Sequence, residues 1–300
     1  MLDLFQVQKF QNLELLAKEL VEGFITGLHR SPYHGFSVEF AEHKLYNYGE
    51  STKAIDWKVF ARTDQLYTKQ YEEETNLRAS ILLDTSASMY YPSQNKDKIR
   101  FSVYASAALA TLMVRQRDSV GLVGYDEKIN LQTQQKSSPV HLNNLYKTLH
   151  ELLVRTPEKV HTEIAECLHT ISDNIHRRSL VVLFTDMFQQ TKNLDSIFTA
   201  MQHLKHNKHE VLLFHVTDQA TEREFEFNDR PYRFIDPETD KSVTLQPHQI
   251  KEAYQKKMSG FYNSVKLGCG KLKIDLIEVD TKDPFNKVLS AYLIKRKKLN

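Results

Sequence analysis

Two apolar runs that each end in an acid constrain this chain more than any other feature. Ile81-Leu82-Leu83 leads into Asp84, and Val181-Val182-Leu183-Phe184-Thr185 leads into Asp186. Short continuous apolar runs succeeded by helical patterns are the mark of strands buried on both faces, as in a parallel sheet covered by helices. The same pattern predicts strands over residues 79–84, 119–125, 180–186, 210–216 and 272–279. Ile129 to Thr133 comes closely enough after Asp126-Glu127-Lys128 to return as an antiparallel edge. Helical patterns fill 97–117, 142–153, 162–175, 194–206, 247–267 and 283–295. In the first of these, Ile99, Val103, Ala107, Ala110 and Val114 recur at helical spacing. Phe101, Tyr104, Ala108 and Leu112 extend the apolar surface round the helix, which predicts an interior position. The expected fold class is α/β: a doubly wound, mostly parallel sheet with one antiparallel edge strand.

The loop after the first strand carries the chemistry. Asp84-Thr85-Ser86-Ala87-Ser88 offers a carboxylate and hydroxyls at the carboxyl edge of the sheet, where open α/β sheets bind ligands. These are hard oxygen donors of the kind magnesium prefers. Asp186 ends the second run, and Thr162 stands where it would cap the helical pattern from Glu163 to Ile175. Three loops thus bring Asp84, Ser86, Ser88, Thr162 and Asp186 together above adjacent strand ends. Neutral hydroxyls beside the ion leave it electrophilic, and two carboxylates balance its charge without filling every position. The alternative is that the hydroxyls only cap helices and the acids are ordinary strand-end residues. This order and chemistry resemble the metal-ion-dependent adhesion site of von Willebrand factor A domains. The resemblance implies Mg²⁺ (or Mn²⁺) on the two serines and the threonine, acids holding its waters, and a partner's carboxylate completing the octahedron.

Composition narrows the classes. Of the 300 residues, 26% are charged and 41% apolar, the profile of a globular protein. A net charge of +2 gives no reason to expect a nucleic-acid partner. Cys167 and Cys269 form neither a disulfide framework nor a zinc set, which suits a reducing compartment. The sequence shows no secretory signal pattern and no apolar run near the roughly 20 residues that span a bilayer, so a cytoplasmic location is expected. Lys295-Arg296-Lys297-Lys298 reads as a solvated helix end, as do His203, His206 and His209 with Lys205 and Lys208 between them. Gly268-Cys269-Gly270-Lys271 reads as a turn. No P-loop, G-x-S-x-G elbow or G-x-G-x-x-G is present. A phosphatase of the haloacid dehalogenase type needs an Asp where Ser86 stands. Ser86 or Ser88 as a nucleophile needs a base, for which His161 is the one candidate. The expectation is a protein that is not an enzyme.

Two regions depart from the strand–helix alternation. Near 221–245 a hairpin insertion is expected, with Phe225, Phe227, Tyr232 and Phe234 packing on the parent domain. Residues 1–75 read as a separate region ahead of the α/β domain of 76–300. In it Leu13, Leu16, Leu20, Phe24 and Leu28 define an amphipathic helix, and an aromatic-rich stretch comes next. Leu66 to Tyr71 then alternates as a half-buried strand does.

Within that stretch, Gly35-Phe36-Ser37-Val38-Glu39-Phe40, Tyr46, Gly49, Ile55-Asp56-Trp57-Lys58-Val59-Phe60-Ala61-Arg62, Tyr71 and Glu72 resemble the signature of the domain-of-unknown-function 58 family. That signature precedes a von Willebrand A-like core, as it does here, and the likeness runs from about Leu13 onward. Lys44, Glu50 and Lys53 replace the family's usual Arg, Asp and Arg, which keeps charge but not bidentate geometry. Trp57 is expected to anchor the N-terminal region, with Asp56 and Arg62 hydrogen-bonding to separate partners. The resemblance implies a metal-dependent adaptor that captures an Asp or Glu of another protein. Relatives are commonly encoded beside MoxR-type AAA+ ATPases, which makes such an ATPase a candidate partner, together with membrane-associated von Willebrand A proteins. The rival readings are a metal-independent scaffold with a vestigial metal site, docking through residues 225–234, and a hydrolase.

Overall fold

The structure, a computed structural model, describes residues 12–29, 43–46, 57–69, 77–156, 164–187, 194–236 and 241–299. The chain divides into two units, Ile25–Thr75 and the remainder, so most of the first helix, α1 (Leu13–His29), groups with the α/β part. Asn12 opens α1 by accepting a hydrogen bond from the Glu14 amide at 2.9 Å. Its Leu13, Leu16, Leu20 and Phe24 are buried as their spacing predicts. In the smaller unit, β1 (His43–Leu45) pairs antiparallel with β2 (Tyr67–Lys69), and α2 (Trp57–Thr63) lies between them in sequence. Within this unit Trp57 is 61% exposed and stands edge-on to Phe60, ring centroids 6.1 Å apart. Asp56 lies outside the described residues, and Arg62 is exposed.

The larger unit is built on β3 (Arg78–Asp84), β4 (Ser119–Tyr125), β5 (Ile129–Gln132), β6 (Leu180–Thr185), β7 (Glu210–Thr217) and, after a separate hairpin, β10 (Asp275–Asp280). They form one sheet in the order β10-β7-β6-β3-β4-β5, parallel except for β5, which runs back along β4. This is the expected von Willebrand A-like plan. Side chains alternate across it: Leu82, Val123, Leu183 and Leu213 share one core face with the helices α5 (Ile164–Asn174), α6 (Leu194–His206) and α7 (Pro247–Lys271). The intervening residues Ile81, Leu83, Val182, Phe184, Leu212 and Phe214 are equally buried. On the other side, α3 (Asp97–Arg115) packs against α4 (Pro139–Val154) and α8 (Asn286–Leu299). Nearly every residue of α3 from Lys98 to Met113 is buried, as its all-round apolar surface predicts.

Two expectations shift at the end of α7. The Gly268-Cys269-Gly270-Lys271 segment is the last turn of the helix and not a loop, and the next strand starts at Asp275, not Leu272. The cause is a close approach: a β-carbon on Gly268 would lie 2.1 Å from the tip of the half-buried Phe198 ring, so glycine lets α7 continue against α6 with that ring in place. Lys273 then turns the chain through a left-handed conformation, φ 54°. The insertion forms β8 (Tyr232–Ile235) and β9 (Ser242–Leu245), an antiparallel pair with Tyr232 opposite Leu245. Phe225 is buried between this hairpin and α7, 4.3 Å from the Tyr254 ring and 5.7 Å from that of Phe234.

The amino edge of the sheet is closed by ion pairs. Asp118, fully buried ahead of β4, accepts from the Leu77 amide (3.0 Å), the Tyr292 hydroxyl (2.8 Å) and the Arg296 guanidinium (2.7 and 3.2 Å). Lys295 reaches Glu210 and Asp275, both at 2.8 Å. The basic tail is therefore not simply a solvated helix end. Two of its four cations serve buried or half-buried carboxylates, because a desolvated acid at a strand start needs donors from whatever packs over it. His209, also expected in solvent, is buried, and its Nδ1 accepts from the Ser179 amide at 3.2 Å.

Candidate metal centre

At the opposite edge, β3 ends in Asp84, which is fully buried. One carboxylate oxygen accepts the Ser86 amide at 3.0 Å, and the other accepts the Thr185 hydroxyl from the end of β6 at 2.7 Å. A tight one-turn helix, Ala87–Tyr90, comes at once, which turns the Ser86 and Ser88 hydroxyls to within 3.1 Å of each other. The loop is pinned sideways to β4: the Thr85 amide and hydroxyl both donate to the Tyr125 carbonyl, at 2.8 and 2.9 Å. Asn130 of β5 donates in turn to the Thr85 hydroxyl at 2.9 Å and to Asp126 at 2.8 Å.

Asp186 sits just past β6 and is buried, with Met187 beyond it in a left-handed turn at φ 51°. One oxygen of Asp186 lies 2.7 Å from the ammonium of Lys98, and its carbonyl lies 2.7 Å from His215 Nε2. Lys98, in the first turn of α3, is itself fully buried. It also reaches Glu222 at 2.6 Å, and the Tyr91 ring lies 5.6 Å away. Glu222 belongs to a single wide helical turn, Gln219–Arg223, and its second oxygen accepts the Asp218 amide at 2.9 Å.

The electrostatics arise from burial. Desolvation, and then the negative charge of Asp186, push the Asp84 carboxyl up to about 6. Burial raises Glu222 as well, despite Lys98 beside it. Burial alone would lower Lys98, but the two carboxylates on it prevail and hold it above its ordinary value. Lys98 thus pairs with Asp186 and the largely buried Glu222, while Asp84 rests on an amide and a hydroxyl. Ionised, the three carboxylates carry two more negative charges than Lys98 offsets, in a medium that screens them poorly.

That excess is the charge of one divalent cation. Magnesium–oxygen bonds of about 2.0–2.1 Å put neighbouring ligands of an octahedron about 2.9 Å apart, close to the 3.1 Å between the two serine hydroxyls. Among the described residues no three His, Cys, Asp or Glu side chains converge on one point, so the donor set consists of hydroxyls with flanking acids. Those residues fit a hard divalent ion. The structure brings Asp84, Ser86, Ser88 and Asp186 to one edge, while Thr162 and His161 lie outside the described residues.

The sequence model of the family described as "Protein of unknown function DUF58" matches residues 42–260. The chain is a member of the DUF58 family. Over 176 residues this DUF58 protein is 23% identical to the uncharacterized proteins Rv1480 of Mycobacterium tuberculosis and Mb1516 of Mycobacterium bovis. The match takes in 59% of this chain and 55% of each of those, so it spans about half the length of the curated relatives. Among solved structures, BatB from Bacteroides thetaiotaomicron aligns with TM-score 0.45 and 13% identity, over 74% of this chain and 99% of that one. An aerotolerance-related membrane protein from Bacteroides fragilis aligns with TM-score 0.46 and 13% identity, over 73% and 97%. A mussel byssus thread protein with a zinc-occupied metal-ion-dependent adhesion motif aligns with TM-score 0.36 and 15% identity, over 48% and 38%. In the DUF58 chain itself, no helix among the described residues is long and apolar enough to cross a membrane.

Sequence reasoning missed Lys98, Glu222, Thr185 and Tyr125. Lys98 offered little signal: it stands between Lys96 and Arg100 at the start of a helix apolar on all sides, fourteen residues after Asp84. Tyr125 sits beside Asp84 in the strand register. Among the described residues its buried hydroxyl has no well-formed hydrogen bond, although Thr185 is near enough to act on it, and burial together with the Asp84 charge raises it well above an ordinary tyrosine. Glu222 offered none, since nothing local ties it to a residue 124 positions away.

Proposed function

We propose that this DUF58 protein is a metal-dependent protein-interaction module. Asp84, Ser86, Ser88, Thr162 and Asp186 would hold Mg²⁺ or Mn²⁺, and the ion would capture an Asp or Glu side chain of another protein. The observation that carries this reading is the placing of Asp84, Asp186 and Glu222, with a single ammonium, Lys98, beside a pair of hydroxyls at the carboxyl edge. When bound, the ion supplies an electrophilic point for an anionic ligand. The chain's own part is to fix the donors: Thr185 and the Ser86 amide orient Asp84, and the contacts of Thr85 with β4 hold the serine loop. The family resemblance names the first partner to try, a MoxR-type AAA+ ATPase, in a chaperone-like or stress-related system in the cytoplasm. Membrane-associated von Willebrand A proteins come second. The test is calorimetric titration with Mg²⁺ and Mn²⁺, then pull-down with the ATPase in Mg²⁺ and in EDTA, with Asp84→Ala in parallel. Metal-dependent capture lost in Asp84→Ala supports the module.

One observation favours a second reading. Asp186 is already paired with Lys98, which is what a metal-independent scaffold requires. Capture that persists in EDTA and in Asp84→Ala would establish that scaffold and turn attention to the hairpin at β8–β9. His161, the base a hydrolase would need, lies outside the described residues, and the Ser86 hydroxyl is 3.1 Å from that of Ser88.

A further inference from the structure

We infer that Lys98 is a resident cation that stands in for part of the divalent ion's charge at Asp186, and that Glu222 takes over Lys98 when the ion claims Asp186. This inference rests on the proposed metal site. Its basis is the bridging geometry: a fully buried ammonium lies 2.7 Å from Asp186 and 2.6 Å from Glu222. A buried lysine paired with one carboxylate is left uncompensated whenever that carboxylate is drawn to another cation, at a large desolvation cost. The second carboxylate removes that problem. Glu222 is itself fixed by the Asp218 amide, and its backbone carbonyl accepts the Tyr254 hydroxyl at 2.8 Å, so it holds its place without help from Asp186.

Lys98 and Glu222 then cancel each other, and Asp84 and Asp186 are left to match a divalent charge. Without the ion, Lys98 shields Asp186 and the edge stays folded. With it, Glu222 keeps Lys98 neutralised. No buried charge is stranded in either state, so the ion can come and go without unfolding the carboxyl edge. Lys98 and Glu222 are positioning residues, and neither need touch the ion.

Opposite effects of two substitutions test it, read by calorimetric titration with Mg²⁺ and by thermal unfolding in EDTA and in excess Mg²⁺. Lys98→Met removes the competing cation. It should lower Tm in EDTA, bind Mg²⁺ at least tenfold more tightly than wild type, and recover most of its lost Tm when Mg²⁺ is added. Glu222→Gln leaves Lys98 to Asp186 alone and should weaken Mg²⁺ binding about tenfold. Lys98→Arg, which keeps the charge, should bind within a few-fold of wild type. Should Lys98→Met not fold even in Mg²⁺, the Glu222→Gln affinity decides the matter. If wild type binds Mg²⁺ but both variants bind it equally well, Lys98 is merely structural and this inference falls while the metal site stands. If no variant binds Mg²⁺ or Mn²⁺, the metal site itself falls, and the inference with it.

Discussion

The two edges of one sheet treat buried acids in opposite ways. At the amino edge Asp118 is met by an amide, a phenol and a bidentate guanidinium, so its lone pairs are filled. At the carboxyl edge Asp186 and Glu222 share one ammonium while Asp84 has only an amide and a hydroxyl, two of the carboxyls are pushed up, and the Tyr125 hydroxyl has no well-formed hydrogen bond among the described residues. The first arrangement is what stability asks for. The second holds charge in reserve, as a site awaiting a ligand does. The strands are the same strands, so the difference lies in what packs over each end.

The contrast predicts that equivalent damage will have opposite signs. The largest effect belongs to Asp118→Ala, which strands Arg296 and the Leu77 amide. Denaturant unfolding should show a loss of about 3–5 kcal/mol, the usual result of breaking a buried pair. A loss under about 1 kcal/mol, the range of an exposed pair, would break the comparison at its stronger end.

Next comes Asp84→Asn, with a gain. The Asp84 carboxyl titrates higher in the folded chain, about 6, than its ordinary 3.8, so its ionisation opposes folding. The metal-free protein should therefore keep the full benefit of a neutral Asp84 below pH 3.8 and lose about 3 kcal/mol as pH rises through about 6. Asp84→Asn should abolish that loss, raising Tm in EDTA at about pH 7 but not at about pH 4, and should remove any Mg²⁺-dependent rise. An unchanged pH profile would show that the acid is compensated by something else.

At the amino edge again, Gly268→Ala forces a methyl into the Phe198 ring, and a drop of about 1–3 kcal/mol is expected from overpacking. The smallest effect is Tyr125→Phe, which deletes a buried hydroxyl and should raise metal-free stability by up to about 1 kcal/mol. A decrease would sharpen the picture by revealing a bound water or ligand under Asp84.

These signs explain what the sequence could and could not convey. Local periodicity sufficed for β3, β4, β6, β7 and α3, since each buries a continuous surface that only one kind of element can present. The serine loop was equally legible, because its donors are adjacent in the chain. Pairings across long separations were not. Lys98 reads as a polar first-turn residue until Glu222 and Asp186 are brought to it, and Arg296 as part of a basic tail until Asp118 is. The reach of α7 past Gly268 depended on the Phe198 ring in a neighbouring helix, which no local rule for glycine anticipates.

The clamp on Asp118 also sets a timetable. Asp118 and Arg296 lie 178 residues apart in the chain. At roughly 5–20 residues per second, a ribosome needs on the order of ten to thirty-five seconds between making one and making the other. Through that interval the acid at the foot of β4 lacks Tyr292 and Arg296, the partners that hold it in the folded chain. The α/β unit is thus set to close late, after its last helix has emerged, and the nascent chain stays open to chaperones until then.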